Sequence, residues 1–140
     1  YDLQNRWNII HSKFPLVKSV WIHIGLNDLR NGVSTDCVAD NIRNINTVFR
    51  AQNINAVFMK IIDADVPEKT NRVNNILEKY ADIKLAKWIL PKKMYFADGI
   101  HPSLTGWEYM TEQIIHMQMQ NNHNNHINHS IFLHHKHLTF

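Results

Sequence analysis

Two short apolar runs rich in β-branched residues, LVKSVWIHI (residues 16–24) and AVFMKII (residues 56–62), each follow a stripe of apolar residues at helical spacing. Neither run leaves one side consistently polar, so each reads as a strand buried on both faces. The first is bounded by Pro15 and Gly25. Ahead of it, Leu3, Trp7, Ile10 and Phe14 recur at i, i+4, i+7 and i+11, and Pro15 ends the helix because it lacks an amide proton. Between the runs, Val38, Ile42, Ile45 and Phe49 form a second stripe. Ser34 or Thr35 can cap it, and AQNIN (residues 51–55) breaks it. Pro67 suits the first turn of a third helix, with its stripe at Val73, Ile76, Leu77 and Tyr80. IKLAKW (residues 83–88) reads as a third strand. Thr105-x-x-Glu108 then reads as a capping box, opening a helix with Trp107, Met110, Ile114 and Met117 on one side. Helix and strand therefore alternate throughout. That order predicts an α/β fold in which right-handed crossovers build a parallel sheet covered on both faces.

At 140 residues, 44% of them hydrophobic, the chain is large enough for one domain with its own core. The texture changes at Gln118. QMQNNHNNHINHSIFLHHKHLTF is rich in Asn and His, and seven of the ten histidines lie between His116 and His137. The expected division is a folded domain over residues 1–117 and a low-complexity tail over residues 118–140. A net charge of +3, with no dense Lys/Arg patch interleaved with aromatics, argues against nucleic acid as the partner. No apolar run approaches the ~20 residues of a membrane span. Cys37 is the only cysteine, which excludes an internal disulfide and is compatible with the cytoplasm. Tyr1 enters an amphipathic segment at once with no targeting peptide before it, and the true N-terminus is expected to be missing.

Ligands of open parallel sheets bind outside the carboxyl ends of the strands. The segment leaving the first strand there is HIGLNDLRNG, in which Gly25 permits a sharp turn and Asn27 offers an amide donor. Ordinary turn chemistry also explains Gly, Asn and Asp at such a place. The second element is ADGIHPSLTGW (residues 97–107). His101 suits a general base near neutral pH, and Asp98 can hold its ring in one tautomer and stabilise the imidazolium. Gly99 and Pro102 fix the loop between them. Each motif is modest by itself; beside two different strand ends, in this order, they form a candidate relay.

Gly25-Leu26-Asn27-Asp28 resembles the G-x-N-D block, and Asp98-Gly99-Ile100-His101-Pro102 the D-G-x-H-P block, of the SGNH or GDSL hydrolases, a family of esterases and lipases. The similarity runs from about Tyr1 to Met117. It implies a three-layer α/β/α architecture with a flavodoxin-like parallel sheet, here incomplete because N-terminal strands are missing. It further implies that Asn27 donates its side-chain amide to an oxyanion, His101 is the base and Asp98 orients it. Gly25 and Asp28 would support the loop. The implied reaction is hydrolysis of a small-molecule ester through a serine acyl-enzyme, without metal or cofactor.

The family's nucleophile lies in a Gly-Asp-Ser block on an earlier strand, and none of Ser12, Ser19, Ser34, Ser103 and Ser130 has that context. The chain is therefore expected to begin after that block. The strand at residues 16–24 would then present an unpaired edge, leaving the chain inactive by itself and prone to associate. Two alternatives stand beside this reading. One is a degenerate relative without catalysis. The other is a metal-binding role for the tail, where His123, His126 and His129 recur every three residues and His134, His135 and His137 follow. His23, between two isoleucines, reads as a core histidine. Trp21, Trp88 and Trp107 read as core aromatics, and Cys37 has no histidine placed to activate it.

Overall fold

A computed structural model of the chain describes residues 3–62, 67–87, 104–121 and 130–134. The elements follow the expected alternation: α1 (Leu3–Lys13), β1 (Ser19–His23), α2 (Leu26–Arg30), α3 (Thr35–Ala51), β2 (Asn55–Met59), α4 (Pro67–Glu78), β3 (Lys84–Ala86), α5 (Leu104–Asn121) and β4 (Ser130–His134). All paired strands run parallel, in the order β3-β2-β1-β4. The chain thus has an α/β fold built on a parallel sheet.

The four longer helices form where their stripes predict. In α1, Leu3 and Trp7 are fully buried. The Trp7 ring stacks on His11 at 5.0 Å and meets the edge of Phe49 at 5.1 Å, while its Nε1 donates to Gln52 Oε1 at 3.2 Å. Phe14 departs from the expected stripe. Pro15 stops the helix at Lys13, and the Phe14 ring, one residue beyond, is 58% exposed. Ser34 caps α3 by accepting from the Cys37 amide at 3.1 Å, and Val38, Ile42, Ile45 and Phe49 are all buried. Each such side chain contributes about 1.5–3 kcal/mol through burial. Asn53 takes a left-handed conformation (φ 59°) as the chain turns from α3 into β2.

The strands place successive side chains on opposite faces. Val20, Ile22, Ala56 and Phe58 join one core cluster, which also holds buried residues of α1, α2, α3 and α4. Trp21, Met59 and Ala86 join a second, with Met110 and Ile114 of α5. Trp21 is therefore the core aromatic the sequence suggests, and His23 is buried as well. The Asn46 amide and the Arg50 guanidinium, both from α3, converge on Asp82 beyond α4, the latter at 3.2 Å.

Three expectations need correction. First, the strands are shorter than their apolar runs, because Val17 and Ile24 are buried without pairing. Second, α5 begins at Leu104, so Thr105 lies within the first turn and does not cap it. Third, β1 has no bare edge. Residues 118–121 continue α5, and residues 130–134 of the presumed tail pair with β1 from Ser19↔Ser130 to His23↔His134. Composition hid this strand: Ile131, Phe132 and Leu133 are three apolar residues set among histidines and asparagines.

Candidate functional site

The connections from β1 to β2 and from β2 to β3 step to one side, whereas β4 returns to the opposite side of β1. A crevice opens outside the carboxyl ends of two strands whose connections leave in opposite directions. In this chain the strand order changes direction at β1, which makes its exit the candidate place.

Gly25 makes the turn there. Its φ of 103° lies in the left-handed region, and it serves as the N-cap of α2. A Cβ at this position would stand 2.9 Å from Ile61 Cδ1 and 3.2 Å from Val38 Cγ1. The backbone thus passes so close to the core that only glycine fits without strain. Gly25→Ala combines the backbone cost with the clash and is expected to lower stability by about 2–3 kcal/mol. Gly32 is the internal comparison: its φ is 89°, but no atom lies within 4 Å of a Cβ built there. Gly32→Ala should therefore cost only the backbone part, about 1–2 kcal/mol. Equal losses in urea denaturation would contradict the close approach at Gly25.

Leu26 and Leu29 of α2 are buried in the core, and Asn27 and Asp28 between them are half-buried. The Asn31 amide donates to the Asn27 carbonyl at 2.9 Å, and the Val33 amide to that of Asp28 at 2.9 Å. These bonds fix the backbone of the turn. Among the described residues, the Asn27 side-chain amide makes no hydrogen bond, whereas Oδ2 of Asp28 is buried. A half-buried amide carried on a fixed backbone at a strand end can donate to a developing negative charge.

Asp98, Gly99, His101, Pro102 and Ser103 lie outside the described residues, as does Trp88. Of the tail histidines, only the backbone of His134 is described, at the end of β4 beside the end of β1. Among the described residues no three His, Cys, Asp or Glu side chains converge as a metal site would require. No helix of the described residues is long and apolar enough to cross a membrane. Sequence reasoning missed α2 itself. Its signal was present in Leu26 and Leu29, three apart and therefore on one helical face, but five residues are too few for periodicity to stand out.

No family model matches the chain, and no curated protein is similar enough to count as a relative.

Proposed function

We propose that this chain is part of an ester hydrolase that works through a serine acyl-enzyme, of the SGNH type, with a three-layer α/β/α architecture. The observation that carries the reading is Asn27, an amide on a hydrogen-bonded turn at the carboxyl end of β1 whose side chain has no hydrogen-bond partner among the described residues. The Asp98–His101 pair supports it through sequence alone. In this scheme His101 accepts the serine proton as the hydroxyl attacks the ester carbonyl, and then returns it to the leaving alcohol. Asp98 stabilises the imidazolium, and Asn27 donates to the oxyanion. Water repeats the sequence on the acyl-enzyme. With no Gly-Asp-Ser serine among its 140 residues, the chain takes its nucleophile from outside them.

One observation favours a second reading, a relative without catalysis. β1 is already paired on both sides, so the sheet has no vacancy beside β1 for a further strand. A serine-bearing strand adjoining β1 must displace β4 to take that place.

One experiment separates the two. The coding sequence preceding Tyr1 is read in frame, and the longer protein is assayed on p-nitrophenyl acetate and labelled with a fluorophosphonate. The hydrolase reading expects a Gly-Asp-Ser serine that takes the label. It also expects Asn27→Ala to cut kcat by about 10²–10³ with little change in KM, and His101→Ala to abolish turnover. Absence of such a serine, or turnover indifferent to both substitutions, would establish the non-catalytic form. Hydrolysis by the 140-residue chain alone, lost in His101→Ala, would refute an external nucleophile.

A further inference from the structure

β2 and β3 end side by side, and each is followed at once by a lysine, Lys60 and Lys87. The pairing Met59↔Ala86 and the bond from the Lys60 amide to the Ala86 carbonyl at 3.0 Å hold the two exits together. They open on a recess of about 330 Å³ whose facing wall is α4. That size lies in the range of small-molecule sites.

The helix face lining the recess is polar, and only Thr70 and Asn74 on it are buried. Pro67, Thr70, Asn71, Asn74, Asn75 and Glu78 fall at i, i+3, i+4, i+7, i+8 and i+11, a single stripe. It carries three amides and a carboxylate, and lies beside the apolar stripe of Val73 and Leu77 that packs into the core. Folding accounts for part of it. The Asn74 side chain holds both backbone groups of Ile61, donating at 2.9 Å and accepting at 3.0 Å. Thr70 donates to the Pro67 carbonyl, and Lys60 is ion-paired with Glu78.

Asn71, Asn75 and Lys87 remain. None of the three makes a side-chain hydrogen bond or ion pair among the described residues. Asn71 and Asn75 stand one helical turn apart, and each amide offers a donor and an acceptor, the pairing that adjacent hydroxyls complement. The Lys87 ammonium offers one positive charge. Among the described lining residues, Glu78 neutralises Lys60 and Lys87 leaves one net positive charge, which matches a single anion.

We propose that this recess binds a small hydroxylated monoanion of the sugar-acid or hydroxy-carboxylate class. Lys87 takes the carboxylate, and Asn71 and Asn75 take neighbouring hydroxyls. The inference stands independently of the acyl-transfer reading, because it uses none of the residues placed there.

The test is a titration of the isotopically labelled 140-residue chain with D-glucuronate, followed by amide chemical shifts. Saturable shifts are expected at Lys60–Ile62, on α4 and at Lys87, with binding at least tenfold tighter than that of acetate or of neutral glucose. Lys87→Met and the double variant Asn71→Ala/Asn75→Ala should each weaken binding about tenfold or more. These positions are exposed, and Ala favours the helix, so the fold is retained. Lys69→Met, outside the recess, should bind as the parent does. The proposal is overturned by the absence of saturation at about 10 mM, by acetate or inorganic phosphate binding as tightly as glucuronate, or by either recess variant binding unchanged.

Discussion

A chain cut after Asn121 should lose several kcal/mol of stability and begin to associate. The cut removes β4 and strips one edge of β1, at the centre of the sheet's hydrogen bonding. Five residue pairs join β1 to β4. With a net ~0.5–1.5 kcal/mol per backbone hydrogen bond, losing about four of them costs on the order of 2–6 kcal/mol. A domain of this size has only about 5–15 kcal/mol in total. The exposed edge of β1 then offers a template to other chains. Urea denaturation and light scattering across a concentration series measure both effects. A shortened chain that is monomeric and as stable as the parent would mean that β4 does not cover β1. Proline substitution sharpens the test. Neighbouring amides along an edge strand alternate between the partner and solvent, so of Ile131→Pro and Phe132→Pro only one removes a ladder bond. Unequal destabilisation is the expected result.

Asn74→Ala ranks next. The side chain is buried and carries both the N–H and the C=O of Ile61, at the point where the chain leaves β2. Alanine leaves two buried backbone groups without partners, a loss of about 2–4 kcal/mol. Asn74→Asp keeps an acceptor for the amide but sets a charge beside the carbonyl, and should be no better tolerated. Asn75→Ala, one residue along on the exposed side of α4, should change stability by no more than about 0.5 kcal/mol. A similar response at the two positions would remove Asn74 from its bridging role.

Much of the architecture was legible because its causes are local and repeated. The α3 stripe recurs four times over three turns, and the runs around β1 and β2 are too apolar to face water. α2 was not legible because five residues do not make a period. Phe14 was misread because spacing alone cannot register that Pro15 ends the helix one residue too early for its ring to reach the core. β4 was hidden for a different reason. Its three apolar residues carry little local signal, and what makes them a strand is the open edge of β1, far away in sequence. For the candidate site, Gly25 was readable as a turn, but its close approach to Ile61 and Val38 depends on tertiary packing. The amide bridge from Asn74 to Ile61 is equally invisible from composition, since asparagine is common throughout the chain.

The pairing of β4 with β1 also sets a timetable for synthesis. Ser19 and Ser130 are partners about 110 residues apart, so β1 leaves the ribosome long before its cover is made. At ~5–20 residues per second, its edge waits roughly 6–20 s. α1, α3 and β2 can assemble around it in that interval, but the growing sheet keeps one adhesive side throughout. A chaperone that recognises extended apolar strands would meet this protein mainly during translation, and its claim would end when residues 130–134 emerge.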